Sequence, residues 1–314
     1  MEVVHGIGSL PVEGESAVTI GFFDGVHRGH QAVIGRAVEM ATSRGHGAVA
    51  VTFDRHPLET LSPGKTPKLL TTLRRKAALI EELGVDVLFV LEFTEEVSRW
   101  SPQEFVARVL ADGLHARHVV VGTNFTFGHK AAGNLGVLAE LGPAHGFGAE
   151  GMSVVKVDGR PVSSTSIREA LSEGDLDWPE RATGRRYMVE GHVITGAGRG
   201  AGLGWPTANL RTPPGLLLPG RGVYAGRALV EGRPWPAAVN VGINPTFGEE
   251  PMHAEAHLLG FRGDLKGQVV VLEFWERLRD EVRFASPQDL AAQIGEDVER
   301  TRRLVVEGGP RVIP

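Results

Sequence analysis

The fold is decided at residues 21–30, Gly21-Phe22-Phe23-Asp24-Gly25-Val26-His27-Arg28-Gly29-His30, where a strand pattern gives way to a helical one. The run before this stretch, residues 17–20, is apolar enough for a buried strand. After it, apolar residues recur at helical spacing from Ala32 to Ala41. The sequence therefore predicts a strand-to-helix turn at this point.

Such a turn favours an anion, because unpaired backbone N–H groups and the positive end of the helix dipole face outward from it. Gly21 and Gly25 allow a close approach to the backbone, and His27 and His30 add donors three residues apart. The alternative is a pair of ordinary surface histidines after a glycine-rich turn. The pattern resembles the His-x-Gly-His signature of nucleotidyltransferases, in which both histidines contact the triphosphate.

The first half alternates short apolar runs with helical patterns, which predicts an α/β domain with a parallel, doubly wound (Rossmann-like) sheet. Ligands of such sheets bind beyond the carboxyl ends of the strands, which is where the opening turn falls. The predicted strands are 17–20, 48–53, 85–90, 118–121 and 152–155, and the predicted helices are 30–43, 72–83, 102–112 and 133–146.

The pattern changes after residues 174–179, and the sequence predicts two domains, 1–183 and 184–314. Short strands separated by many glycines and prolines predict a compact β-barrel in the second domain. A closing helix is predicted after Ser286-Pro287. The predicted barrel strands are 188–194, 223–230, 237–241, 253–259 and 269–278.

Composition limits the class of protein. With 314 residues, 42% apolar and 23% charged, the chain is ordinary for a globular protein of two domains. No apolar run reaches 18 residues, no basic and apolar leader opens the chain, and there is no cysteine. The net charge of −5 argues against broad nucleic-acid binding. We expect a cytoplasmic protein that handles small molecules, without nucleic-acid or membrane partners; no oligomeric state is indicated.

Three later segments follow predicted strands and are expected to meet the opening turn. They are residues 52–57, 121–128 and 162–168, and the last combines Ser and Thr hydroxyls with Arg168 at a helix start, which suits a phosphate. A hydroxyl run before a helix is by itself usually only an N-cap. Residues 73–76 are predicted to be a solvated helix face, with a basic edge near a ligand phosphate as the alternative.

Together these segments resemble the FMN adenylyltransferase domain of bacterial bifunctional FAD synthetases over residues 17–175. The resemblance implies transfer of the adenylyl group of ATP to FMN, assisted by Mg²⁺, with His27, His30 and Arg168 as catalytic residues. It implies that Asn124 and Phe127 face the flavin. The other nucleotide contacts that it implies are Gly21, Phe22, Asp24, Gly25, Ser164 and Thr165.

The second half carries a glycine-rich loop, residues 196–204, followed by Pro206-Thr207-Ala208-Asn209. In an extended segment Thr207 and Asn209 share a face, and two neutral oxygen ligands there suit Mg²⁺ carrying nucleotide phosphates. Glu255 and His257 also share a strand face, and a carboxylate there could act as a general base. A lone Glu on a strand is more often a solvated residue.

This half resembles the riboflavin kinase domain of the same bifunctional family over residues 185–306. The resemblance implies that the loop, with Gly198, Arg199 and Gly204, covers ATP, that Thr207 and Asn209 bind Mg²⁺, and that Glu255 deprotonates riboflavin. Two departures lie just beyond Glu255: Gly260 stands where relatives usually carry Asp, and Lys266 where they usually carry Tyr.

The prediction is therefore an enzyme that makes FMN from riboflavin and FAD from FMN with ATP. Three alternatives remain open from the sequence. In the first alternative, one of the two domains has lost its activity, and the departures near Glu255 are the only support for it. In the second alternative, the protein binds flavin or has a regulatory role without turnover. In the third, it is a nucleotidyltransferase that acts on another phosphate.

Overall fold

The structure, a computed structural model, describes residues 1–10, 13–195, 202, 204–243 and 252–307. The chain divides into two compact units, Met1–Ser164 and Thr165–Pro314. Helices α7 (Ser164–Glu173) and α8 (Asp177–Thr183) thus fall almost entirely in the second unit, where the N–H of Gly220 donates to the carbonyl of Leu171 at 2.7 Å. The functional boundary after residue 183 stays a prediction.

The parallel sheet predicted for the first unit is present, with six strands where the sequence predicts five. The strands are β1 (Glu2–His5), β2 (Ser16–Ile20), β3 (Gly47–Phe53), β4 (Val87–Leu91), β5 (Ala116–Gly122) and β8 (Gly148–Met152), in the spatial order β1-β4-β3-β2-β5-β8. After β2, the chain adds β3 and β4 on one side of this strand and then β5 and β8 on the other. The carboxyl ends of the neighbouring strands β2 and β5 therefore flank the crevice at which such sheets bind ligands.

Helices cover both faces of this sheet. Alternate residues of β3 point to opposite sides, so Val49 and Val51 join one hydrophobic core while Ala50 joins another with Ile34 and Leu79. The helices are α1 (Arg28–Arg44), α2 (Pro57–Leu61), α3 (Leu73–Glu81), α4 (Glu95–Ser98), α5 (Pro102–Phe105), which continues as a π-helical turn over Val106–Ala111, and α6 (Leu135–Leu141). Two short hairpins pair β6 (Thr126–Phe127) with β7 (Gly133–Asn134) and β9 (Lys156–Val157) with β10 (Arg160–Pro161).

Two strand predictions in this unit are wrong. The predicted strand at 152–155 lies at Gly148–Met152, and β1 was not predicted at all. β8 carries Gly148, Glu150 and Gly151, so its apolar signal is weaker than that of the residues after it. β1 is an edge strand with mostly exposed residues, and its pairing with β4 depends on tertiary contacts.

The β-barrel predicted for the second unit is present as a closed barrel of six antiparallel strands. Small residues with no exposed surface, such as Ala254 and Ala256, face its interior. The strands are β11 (Met188–Ile194), β12 (Ala208–Arg211), β13 (Gly222–Val230), β14 (Arg233–Gly242), β15 (His253–Leu258) and β16 (Val269–Arg279), in the order β11-β12-β15-β14-β13-β16. Only β12, which has four residues, was missed.

The predicted closing helix is present as α9 (Pro287–Arg302). The Ser286 hydroxyl caps it by accepting the N–H of Asp289 at 3.1 Å. Val298 and Ile294 pack against Ala238 and Leu259 of the barrel. In the part of the chain that the structure describes, no helix has the length and hydropathy needed to cross a membrane.

Candidate active sites

The turn after β2 has an unusual backbone. Phe23, Gly25 and Val26 have positive φ angles of 52°, 79° and 38°. A β-branched residue such as Val26 rarely adopts this conformation, which costs on the order of 1–3 kcal/mol and must be held by its surroundings. Strained backbone of this kind gathers at binding and catalytic sites.

His27 ends this turn and caps α1. Its Nδ1 accepts the N–H of His30 at 3.3 Å, so in the neutral ring Nε2 carries the hydrogen and is the donor. The rings of His27 and His30 are stacked, with centroids 3.6 Å apart and planes at 15°. A Cβ on Gly29 would lie 3.1 Å from the His27 ring, so glycine leaves space for that ring. The two predicted histidines are thus brought together at the N-terminus of α1.

Asp24, predicted to contact the nucleotide, is 1% exposed and is bound to protein. Its carboxylate accepts the N–H groups of Leu70 at 3.0 Å and Thr71 at 3.1 Å. Gly25 follows with its own N–H donated to the Thr71 hydroxyl at 3.1 Å, and a Cβ there would lie 2.8 Å from Leu70 Cδ1. The Asp24 side chain therefore fastens the turn to residues 70–71.

The predicted segment 162–168 reaches the same turn through Ser164. The Ser164 hydroxyl donates to the carbonyl of Asp24 at 3.0 Å, and α7 begins at this residue. Thr165 and Arg168 follow in the first turns of that helix. The helix start predicted from the hydroxyl run is thus present, and its first residue contacts the turn.

The end of β3 lies beside the turn as well. The Thr52 hydroxyl donates to the carbonyl of Phe22 at 3.1 Å, and the rings of Phe22 and His56 meet edge to face at 4.8 Å. Lys76 of α3 is 3% exposed, so the predicted solvated face is wrong at this residue. Helical spacing alone could have revealed it, because Lys76 lies one turn before the buried pair Leu79 and Ile80.

The segment after β5 carries the two predicted flavin contacts in different surroundings. Asn124 is exposed, and its Oδ1 lies 2.9 Å from where a Cβ on Gly122 would be. Phe127 is 8% exposed and packs against Phe105 and Phe125, with ring centroids at 5.4 and 5.7 Å. Asn124 is therefore exposed on the segment after β5, whereas Phe127 belongs to the hydrophobic core.

In the second unit, three polar residues lie side by side on neighbouring barrel strands. Glu255 of β15 is paired in register with Asn209 of β12 on one side and with Asn240 of β14 on the other. Residues facing each other across antiparallel strands have Cβ atoms about 4.5–5.5 Å apart. Their neighbours Ala208, Ala254 and Ala256 face inward, so this row lies on the outer face of the barrel.

Sequence reasoning missed His253, whose Nε2 lies 3.3 Å from Glu255 Oε1. Strand alternation could have found it, since His253, Glu255 and His257 occupy every second position of β15. His257 is placed by another contact: its Nδ1 lies 2.8 Å from the carbonyl of Pro206.

A cavity of about 320 Å³ is lined by Ala208 and Ala256, the chain neighbours of Asn209 and Glu255, but by no residue of the row itself. Thr207 lines it together with Lys266, one of the two departures noted above, whereas Glu255 is not among the lining residues. The rest of its lining is mostly apolar: Val193, Ile194, Ala208, Ala256, Leu258, Phe261 and Leu265, with Thr195, Pro206, Gly263 and Asp264.

The predicted nucleotide loop is described only in part. Gly198 and Arg199 lie outside the described residues. Gly204 is described and has a positive φ of 87°, and no described residue lies within 4 Å of where its Cβ would be. The start of the Pro-Thr-Ala-Asn motif that follows is anchored by Trp205, whose ring meets that of His257 edge to face at 5.2 Å.

The donor set around Asn209 fits a magnesium ion. Thr207 and Asn209 offer neutral oxygens, and Glu255 offers a carboxylate on the paired strand. Among the described residues, no group of three or more His, Cys, Asp or Glu side chains could hold a metal. Mg²⁺ is commonly bound by one or two protein ligands together with substrate phosphates, and the few oxygens of Thr207, Asn209 and Glu255 suit that mode of binding.

Comparison with known proteins matches each half of the chain to a different family model. A family model described as FAD synthetase matches residues 10–166, and one described as riboflavin kinase matches residues 183–305. A bifunctional riboflavin kinase/FMN adenylyltransferase of Pseudomonas fluorescens is 39% identical over 99% of this chain and 100% of its own length. One of Bacillus subtilis is 35% identical over 93% of each chain.

A solved structure described as a macrolide-efflux protein from Streptococcus pneumoniae has a TM-score of 0.88. It is 26% identical and covers 96% of this chain and 99% of its own. The activity in that description belongs to the Streptococcus protein, and the similarity to it concerns the fold. The two family models and the full-length relatives show that the chain belongs to the family of bifunctional riboflavin kinase/FMN adenylyltransferases.

Proposed function

We propose that each half of the chain carries one of the two reactions of its family, on the residues described above. The chain phosphorylates riboflavin to FMN and then transfers the adenylyl group of ATP to FMN, giving FAD and pyrophosphate. The observation that best supports the assignment of adenylyl transfer to the first half is the stacked pair His27 and His30. These residues lie at the N-terminus of α1, beside the crevice between β2 and β5.

Adenylyl transfer needs positioning and charge stabilisation rather than a covalent enzyme intermediate. A phosphate oxygen of FMN bonds to the α-phosphorus of ATP, while the bond from that phosphorus to the bridging oxygen breaks and pyrophosphate leaves with the electron pair. His27 donates from Nε2, and His30 and the amides at the start of α1 add donors for the developing negative charge.

The remaining nucleotide contacts are proposed along the same turn and α7. At Gly21, Phe22 and Gly25 the phosphates approach the backbone closely, although the N–H groups of the two glycines are donated within the protein. Asp24 acts by fastening the turn. The amides at the start of α7, the Thr165 hydroxyl and the Arg168 guanidinium add donors, while the Ser164 hydroxyl is bonded to the turn. The contact from Ser164 to Asp24 supports this part.

Asn124 is proposed as the flavin contact of the first half, because it lies at the end of the strand that neighbours the turn. Phe127 supports the same segment from below, since its ring is packed among other phenylalanines.

For the kinase reaction we propose Glu255 as the general base that takes the proton of the riboflavin 5′-hydroxyl. The hydroxyl oxygen then bonds to the γ-phosphorus of ATP, and ADP leaves with the electron pair of the broken bond. Thr207 and Asn209 would hold Mg²⁺, and the loop with Gly198, Arg199 and Gly204 would cover the nucleotide. When bound, the ion neutralises phosphate charge. The cavity lined by Thr207 has the volume of a small-molecule site.

We further propose the cytoplasm as the compartment. The chain has no cysteine, and its net charge of −5 gives no support to a nucleic-acid partner.

One assay tests these assignments. Purified protein is incubated with riboflavin, ATP and Mg²⁺, and the flavins are separated by chromatography over time. We expect FMN to appear first and FAD to follow, and we expect chelation of the metal to stop both steps until Mg²⁺ is restored. FMN that accumulates without FAD would contradict the adenylyl-transfer site, and FAD formed only from added FMN would contradict the kinase site.

A further inference from the structure

Lys76 is the only lysine with a buried side chain in the described part of the chain. It lies in the first turn of α3, and 3% of it is exposed. A buried ammonium group is costly unless other groups compensate for its lost hydration. A side chain of this kind next to a proposed active site therefore needs an explanation.

The hydrogen bond and the ring contact of its ammonium group both connect Lys76 to Phe22, in the turn after β2. The Lys76 Nζ donates to the Thr52 hydroxyl at 3.2 Å, and that hydroxyl donates onward to the carbonyl of Phe22 at 3.1 Å. The same Nζ lies 4.1 Å from the centroid of the Phe22 ring, a cation–π distance. One ammonium group thus contacts the side chain of Phe22 directly and its backbone through one hydroxyl.

The charged and titratable groups around Lys76 come from the elements packed against it. Burial lowers its pKa from the ordinary 10.5 to about 8, although Asp24 of the turn and Asp54 at the end of β3 act in the opposite direction. His56, at the start of α2, packs on the edge of the Phe22 ring. Lys76 is therefore charged at neutral pH and loses its proton in mildly alkaline solution.

We propose that Lys76 is a positioning residue for adenylyl transfer, which holds the strained turn at residues 21–27 in its phosphate-binding form through Phe22. The proposal rests on the assignment of this turn as the adenylyl-transfer site. The turn requires positive φ at Phe23 and Val26, so restraints on the preceding residue determine whether its amides and His27 stay aligned. Misplacement of a binding group by about 1 Å can cost on the order of 100-fold in rate.

The test uses the full-length protein with Lys76→Met, which keeps a long apolar stem but removes the charge. FAD formation from supplied FMN should fall by about 10-fold or more, mostly in kcat, while riboflavin phosphorylation by the same molecules stays normal. Thr52→Val, which removes the connecting hydroxyl, should act in the same direction. Lys65→Met, at an exposed loop lysine, is the matched control and should change neither reaction.

The unfolding temperature of Lys76→Met distinguishes a positioning role of Lys76 from a merely structural one. The folded pKa of Lys76 is below its unfolded value, so between about pH 8 and 10.5 the unfolded chain binds more protons and stability rises with pH. Below pH 8 the buried charge costs stability throughout. Lys76→Met should therefore unfold at an equal or higher temperature than the unmodified protein at pH 7, and this advantage should shrink towards pH 10.

The pH profile gives the second readout. In the unmodified protein, kcat for FAD formation should fall as pH rises through about 8, and Lys76→Met should lack that fall. Full adenylyl transfer by Lys76→Met, an unchanged alkaline limb, or equal losses in both reactions with a lower unfolding temperature would each overturn the proposal. If His30→Ala also keeps adenylyl transfer, the site assignment has failed; if only Lys76→Met keeps it, the role of Lys76 alone has failed.

Discussion

At the scale of single residues, one hydrogen bond decides how His27 can act. Because Nδ1 accepts the N–H of His30, the ring cannot also be protonated there, and Nε2 is fixed as the donor. His30 lies against His27 on one side and meets Phe23 edge to face at 5.3 Å on another. These contacts align two donors before any phosphate arrives.

His30→Ala should therefore lower FAD formation from FMN by about 100-fold or more, the scale for one charge-stabilising donor. Riboflavin phosphorylation, carried by the second half, should stay within about 2-fold, and rates of both reactions measured on one preparation check this. His5→Ala, at an exposed histidine of β1, is the control and should leave both rates unchanged. Equal losses in both reactions with His30→Ala would indicate misfolding or a shared site.

At the scale of elements, α9 is fixed to the barrel by a buried ion pair. The Arg279 guanidinium donates through Nε and Nη2 to both carboxylate oxygens of Asp297, at 2.8–3.1 Å. The Asp297 side chain is 7% exposed and that of Arg279 is 19% exposed. Removal of one partner would leave a carboxylate buried without its counter-ion, which is strongly destabilising.

Arg279→Ala should therefore lower the free energy of unfolding by about 2–4 kcal/mol, as measured by denaturant titration. Arg300→Ala provides the control, because its bond to Glu276 at 2.7 Å joins side chains that are 49% and 44% exposed. Such exposed pairs contribute about 0–1 kcal/mol. Similar losses from both substitutions would show that burial does not set the strength of the Arg279 pair.

Among the strands, the sequence pattern predicts those whose burial is visible in the local sequence. β2, β3 and β5 were predicted because buried parallel strands are continuous apolar runs, and the barrel strands because they alternate. β8 carries two glycines and a glutamate, β12 has only four residues, two of them polar, and β1 is an exposed edge strand, so their pairing could not be predicted from the local sequence. The burial of Lys76 was missed although it lies one helical turn before the buried Leu79 and Ile80, because a charged side chain normally indicates a solvated position.

At the scale of the whole molecule, the chain consists of two compact units, and the sequence and the contacts divide it at different residues. Fragments starting at Thr165 and at Arg181 distinguish the two divisions. Both should make FMN and neither should make FAD, because β12 and β15 lie within both. The longer fragment should unfold at a higher temperature, since it keeps α7 and the bond from Gly220 to Leu171.

Thermal unfolding and product analysis of the two fragments check this prediction. A shorter fragment as stable as the longer one would show that α7 contributes nothing to the second unit. A folded but inactive longer fragment, beside an active full-length protein, would contradict the independence of the kinase half.

The central claim is that two separate sites on one chain carry the two reactions, and Glu255→Gln tests it most directly. The substitution keeps the shape of the side chain but removes the proton acceptor, so FMN formation should fall by about 10²–10⁴-fold. FAD formation from supplied FMN should continue at the normal rate, the reverse of the result expected for His30→Ala. Glu231→Gln, at an exposed turn, is the matched control. Kinase activity that survives in Glu255→Gln, or FAD formation that falls with it, would contradict the account.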